Sequence, residues 1–275
     1  MKKTAILFIF CSLPYFAQNL QKVAEDIKNE GVQIYRSEMA SWNGTDLFLT
    51  NFKEKENIGG YFSYLENDIP RCIFFSKDNK VIGTIIFPTN YKPENAKLDL
   101  TVREFSDVEK EYAAIRQKAL THINNDTIFK RYNNTNLNLV PIINPKEKKV
   151  FVLTGPSVNG VMVLGNDYVI TFNKKNEIKK VEKLHKGIIV HSNAEIPKES
   201  IPEGGSHTHV LEDWPYITST DVCTLMLYSN SFGIKIYSVI SEKYTSIWNA
   251  EGNKLVIITN DAMKRIQEDQ KKRHP

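Results

Sequence analysis

Beyond residue 60 the apolar residues of this chain arrive in short runs, each closed within a few residues by a turn signal, and that punctuation limits the fold more than any other feature. Runs at 61–65, 69–75, 81–87 and 98–105 are rich in aromatic and β-branched residues, which suit the pleated, half-buried surface of an antiparallel sheet. The polar link Ser76-Lys77-Asp78-Asn79-Lys80 is short enough to close a hairpin between the second run and the third. Similar runs return at 150–153, 161–164, 168–172, 178–184 and 187–190 with Gly, Pro or Asn in the gaps, and such tight connections predict a meander. Three more strands are expected at 234–240, 244–248 and 254–258.

Helical spacing is confined to a few stretches. Leu20, Val23, Ile27 and Ile34 carry it over about 19–40, with Gly31 as an interruption. Ser106-Asp107-Val108-Glu109 fits a capping box, and Val108, Tyr112, Ile115, Ala119 and Ile123 continue it as a helix expected to cover one face of the first sheet. The apolar run 222–228 predicts a helix inside the core, and a polar helix over about 261–271 closes the chain. The stretch 133–148, rich in Asn, Pro and Lys, marks a boundary or, since 137–143 is apolar, a strand. The expected class is α+β: an antiparallel N-terminal sheet with its covering helix over 18–148, then a second α+β half over 149–275.

Residues 1–17 stand apart. Lys2-Lys3 precede an apolar stretch from Ala5 to Phe16, and Ala17 offers a small residue for cleavage, the layout of a secretory signal. Export to a bacterial periplasm or the medium is expected. Phe10 before Cys11 does not fit lipoprotein processing, and no later stretch approaches the roughly 18 apolar residues a membrane-spanning helix needs. The net charge of +4 comes from 36 basic and 32 acidic residues dispersed along the chain. Without a basic stripe interleaved with aromatics, nucleic-acid binding is excluded. Cys72 and Cys223 remain after cleavage; one pairing is open to them, but a strand-like run and an apolar helix favour two separate buried thiols.

The chemistry-bearing residues lie late in the chain. His207 and His209 share a face if their segment is extended, and Asp221 falls in the first turn of the helix that follows. Two imidazoles, a carboxylate and a water describe an open zinc site. Four of the six histidines, His185, His191, His207 and His209, lie in this part of the chain. Thr218-Ser219-Thr220-Asp221 is equally a helix-capping pattern, which would leave Asp221 with a structural task. Glu182-x-x-His185 offers an alternative ligand pair whose members point to opposite faces of a strand. The loop 192–205 is a plausible rim for a pocket, and Asp213-Trp214-Pro215-Tyr216 reads as loop packing or as an aromatic rim. A serine or cysteine hydrolase is excluded by the lack of a G-x-S-x-G elbow and by the apolar setting of Cys223.

His207-Thr208-His209 with Thr218-x-x-Asp221 resembles the H-[S/T]-H-x7-S-x-x-D signature of the JAMM/MPN-type zinc hydrolases, over residues 150–258. The spacer here holds eight residues, Val210 stands for the usual proline and Thr218 for the serine. The resemblance implies a JAMM/MPN-like C-terminal half, Zn2+ on His207, His209 and Asp221, and Thr218 at the oxyanion. It also implies an upstream glutamate as general base, for which Glu182, on a strand, is preferred to Glu195, Glu199 and Glu203 in a loop. The implied activity is hydrolysis of peptide or amide bonds in a peptide-like substrate. The alternative is an exported, non-catalytic binding or structural protein with a degenerate metal site and an unknown protein partner.

Overall fold

The structure, a computed structural model, describes residues 12–192 and 203–273. Of the expected export signal, residues 1–11 lie outside that range, as do Glu195 and Glu199 of the loop. Residues 12–17 are the first of a helix, α1 (Ser12–Asn51), which runs well past residue 40. Its buried positions Gly31, Ile34, Ser37, Ala40, Gly44 and Phe48 recur every three or four residues, as one face of a helix does. Gly31 does not interrupt it. A Cβ there would stand 2.7 Å from Val222 Cβ and 2.9 Å from the Ser219 carbonyl oxygen, so glycine lets a later helix cross α1 at backbone contact.

The first sheet has the order β1 (Ile58–Glu66), β2 (Ile69–Ser76), β3 (Val81–Ile86) and β4 (Lys97–Asp99), all antiparallel. The run 98–105, expected as a strand, forms only β4 and a single bridge from Arg103 to Val81. Asp99 accepts the Thr101 amide at 2.8 Å and takes that donor out of the ladder. Ala40 and Phe48 of α1 pack with Phe74, Ile85 and Phe87, while Phe62, Tyr64 and Phe75 meet Tyr112 of α2 (Asp107–Asn125). α2 covers more than the first sheet. Its Ile115, Ala119 and Ile123 pack against Val150, Val152 and Ile170 of the second.

The chain continues with β5 (Thr135–Ile143), β6 (Lys148–Pro156), β7 (Val161–Gly165), β8 (Tyr168–Phe172), β9 (Ile178–Lys183) and β10 (Ile188–Ser192). The second sheet has the order β5-β6-β8-β9, and β7 leaves the meander to pair with β10. β5 and β6 are paired from Thr135↔Pro156 to Ile143↔Lys148, so the stretch 133–148 holds a strand and its turn. Val140, Phe151, Leu153 and Val169 pack against Ile34 of α1 and Cys223. Cys72 and Cys223 are both free and buried.

The last part comprises β11 (Gly204–Thr208), α3 (Ser219–Tyr228), β12 (Ile236–Ile240), β13 (Tyr244–Asn249), β14 (Lys254–Thr259) and α4 (Asn260–Arg273). The third sheet runs β11-β12-β13-β14, with β11 parallel to β12 and the rest antiparallel. Tyr237, Val239 and Trp248 of this sheet close on Met162 and Leu164 of β7 and on Val222 and Leu225 of α3. The class is α+β. Among the described residues no helix is long and apolar enough to cross a membrane.

Candidate metal centre

His207 lies in β11 and His209 one residue beyond it, where its N–H donates to the Ile240 carbonyl at 2.9 Å and prolongs the pairing with β12. Strand alternation then puts both rings on one side, with centroids 4.9 Å apart. Asp221 is the third residue of α3. The Thr218 hydroxyl accepts its N–H at 3.1 Å, and Asp221 Oδ2 accepts the Thr218 N–H at 2.9 Å and its hydroxyl at 2.8 Å. Capping and ligation are therefore compatible tasks of one carboxylate. Its Oδ1 has no hydrogen-bond partner and stands 3.1 Å from His185 Nε2 and 3.8 Å from His207 Nε2.

His185 enters from the link between β9 and β10. Gly165 at φ +89° turns the chain toward it, the Asn166 N–H donates to the Gly187 carbonyl at 2.8 Å, and the Leu184 N–H donates to the Asp167 carbonyl at 2.9 Å. One ligand atom from each of His185, His207, His209 and Asp221 lies within 4.8 Å of the others, and all four residues are buried. These four can hold a metal ion.

The outward sides of the His207 and His209 rings are engaged by the protein. Tyr216 and Trp214 carbonyls lie 2.7 and 3.1 Å from His209 Nδ1; because a carbonyl only accepts, Nδ1 carries the proton and a neutral His209 turns a lone pair inward from Nε2. His207 Nδ1 is 3.3 Å from the Tyr237 hydroxyl, whereas His185 Nδ1, 3.7 Å from Asp167 Oδ2, has a charged neighbour but no hydrogen bond. Metal-bound histidines have such outer partners, which fix tautomer and ring orientation. Inside, His207 Nε2 and His209 Nε2 are buried without a hydrogen bond, as is Asp221 Oδ1. Leaving such a group unpaired costs about 1–3 kcal/mol, and a cation among them satisfies all three.

At Asp221 and His207 the electrostatics agree with that arrangement. Burial alone would raise the Asp221 carboxyl, but the His185 imidazole, with help from His209 and His207, holds it well below the usual carboxylate range. Burial pushes His207 down to about 4, reinforced by its histidine neighbours and opposed by Asp221, so it is neutral and able to ligate at neutral pH. Burial would lower His185 too, but Asp221 and Asp167 outweigh it and raise its pKa. Burial lifts Asp167 to about 6, against the His185 imidazole and the Thr154 amide.

A cavity of about 190 Å³ opens over His185, His207 and His209, walled by Leu164, Ile188 and Leu211. Asp221 and Thr218 lie beneath and do not line it. The Thr218 hydroxyl, expected at an oxyanion, is instead taken up by Asp221 and by Thr220 Oγ1 at 2.9 Å. Glu182, expected as a base, is not brought to the cluster. It sits on β9 opposite Val169, where Lys180, two residues earlier on the same face, takes its carboxylate at 2.8 Å. Glu203 pairs with Lys235 at 2.6 Å, and Trp214 packs on the core beside Leu184.

His185 and Asp167 extend the expected set. The bunching of histidines signalled the first; Asp167 was hidden in a Gly-Asn-Asp turn. No protein-family model, curated protein or solved structure matches the chain.

Proposed function

We propose that this protein is an exported zinc-dependent hydrolase of peptide or amide bonds, with the ion on His185, His207, His209 and Asp221. The observation that carries the reading is the convergence of buried, unpaired His207 Nε2, His209 Nε2 and Asp221 Oδ1 under a cavity lined by the three histidines. Imidazole and carboxylate ligands suit zinc, and an ion held there supplies Lewis acidity toward a substrate carbonyl. His207 contributes a neutral ring, His209 an inward-facing Nε2 and Asp221 the charge, while Leu164, Ile188 and Leu211 exclude water and receive an apolar group of the substrate. The likeness of His207, His209, Thr218 and Asp221 to the JAMM/MPN signature supports this reading from the sequence; His185 lies outside that signature. Because no glutamate lines the cavity among the described residues, proton transfer is not assigned to Glu182. Residues 1–17 support export.

A second reading rests on the same burial. Four protein ligands complete a tetrahedral shell, as in structural zinc sites, and the protein would then be a metal-stabilised binding or structural module. Elemental analysis of the purified mature chain, followed by a peptidase and amidase screen with and without added zinc, separates the readings. Stoichiometric zinc with turnover supports the hydrolase, zinc that raises only Tm supports the structural site, and absence of bound metal overturns both.

A further inference from the structure

A second constellation lies on α1, apart from the histidines. Glu38, Trp42 and Asp46 recur every four residues along one face of the helix and line a groove of about 640 Å³, within the range of small-molecule sites. The facing wall comes from the link 157–160 between β6 and β7 and from the end of α3, and Tyr61, Asn138 and Tyr228 add their side chains.

Three properties of this groove point to one kind of ligand. Its charge has a single sign: Glu38 and Asp46 line it, and no lysine, arginine or histidine does. Glu38 receives a hydrogen bond from the Asn138 amide at 3.3 Å but has no cation beside it among the described residues. Second, the walls are aromatic. Trp42 is 55% exposed, a large ring left facing water, with Tyr228 nearby, while Tyr61 already carries the Arg116 guanidinium 5.7 Å from its ring centroid; aromatic faces attract ammonium and guanidinium groups. Third, eight residues of helix separate Glu38 from Asp46 by about 12 Å, which suits an extended chain better than a compact ion.

We propose that this groove binds an organic cation, a ligand bearing ammonium or guanidinium groups on a flexible chain, with one charged head at Glu38 and the chain laid over Trp42 toward Asp46. An anion would be repelled by both carboxylates, and a neutral sugar would stack on Trp42 without using the single-sign charge. Burial pushes the Glu38 carboxyl up to about 7, against the pull of Asn138. The titratable groups facing it, Tyr61, Cys223 and Tyr228, are themselves raised by burial and neutral, and the Arg116 guanidinium lies over the Tyr61 ring and makes no hydrogen bond or ion pair with Glu38. An incoming cation is therefore the charge that would keep Glu38 ionised.

The test is a fluorescence titration of the full chain with spermidine and with agmatine, using cellobiose as the neutral probe. The expected result is saturable quenching by at least one amine, lost in Trp42→Phe and weakened about tenfold or more in Glu38→Gln, as for a lost charge-assisted hydrogen bond. Thermal melts check that each variant is folded. Trp42→Phe, at an exposed position, keeps the test decisive if Glu38→Gln fails to fold. No saturable response to either amine up to about 10 mM, weaker than the millimolar scale of ~4 kcal/mol, overturns the proposal. So does unchanged affinity in a folded Glu38→Gln, quenching that survives in Trp42→Phe, or binding of cellobiose alone.

Discussion

The helices α2 and α3 begin with the same device and put it to different ends. At α2 the Ser106 hydroxyl accepts the Glu109 N–H at 3.2 Å, and the Glu109 carboxylate accepts the Ser106 N–H at 2.8 Å; Thr218 and Asp221 repeat that exchange at α3. The remaining acceptor capacity of Glu109 goes to Arg103, whose two terminal nitrogens stand 2.6 and 2.8 Å away. Asp221 turns the rest of its capacity to three imidazoles, none of them permanently charged. One cap thus carries its own counter-ion and is finished as a piece of structure. The other has a fully buried carboxylate whose charge the surrounding rings offset only by gaining protons or by sharing a metal. The local backbone is alike in both; the neighbour of the carboxylate separates a helix start from a candidate site.

The sharpest way to break this contrast is Asp221→Asn. Metal carried by the purified chain, read by elemental analysis, should fall to background, whereas Glu109→Gln should leave it unchanged. Glu109→Gln should instead cost about 2–3 kcal/mol of stability in urea denaturation, below the full value for a broken buried pair, because Arg103 is 36% exposed. Asp167→Asn withdraws the carboxylate behind His185 and should weaken metal affinity about 10- to 100-fold in chelator competition, with little change in the fold.

The pH response sharpens the difference further. Burial would raise the Glu109 carboxyl, but Arg103 and the Ser106 cap outweigh it and hold it below its ordinary range. Its contribution is therefore complete above the unfolded value of about 4.3 and disappears as pH falls through the lower folded value. Urea midpoints measured from pH 6 down to about 3 should drop less steeply in Glu109→Gln than in the wild type. The smallest effect is expected from Ser106→Ala, about 1 kcal/mol for a lost cap. Thr218→Ala should cost at least as much and also loosen the metal, since that hydroxyl donates to Asp221 Oδ2.

His207, His209 and Asp221 were legible because their placement follows from local rules: strand alternation sets the first two on one face, and a capping pattern places the third in the first turn. His185 and Asp167 lie in turns whose direction depends on how β7, β8, β9 and β10 pair, which no short window of sequence contains. Glu182 misled for a related reason. Alternation gives a residue a side of its strand, but the packing of whole sheets decides what that side faces, and Lys180 shares it. Gly31 predicts an interruption of α1 because glycine weakens a helix by about 1 kcal/mol in isolation. Here the close crossing of another helix requires it. The α+β class was legible from the short runs and their turns, whereas most of the strand expected at 98–105 was lost to the Asp99 side chain.

The crossing at Gly31 also governs the order in which the molecule can be completed. Beside it, the Ser219 hydroxyl donates to Glu30 at 2.7 Å across 189 residues of sequence. The part of the α1 stripe around Gly31 therefore stays uncovered until α3 has been synthesised and brought back to it. Contacts of such sequence separation slow folding, and the fold is complete only once most of the chain is present. Ala40 and Phe48 can be covered early by the first sheet, but Gly31 waits for a helix from the last quarter of the chain.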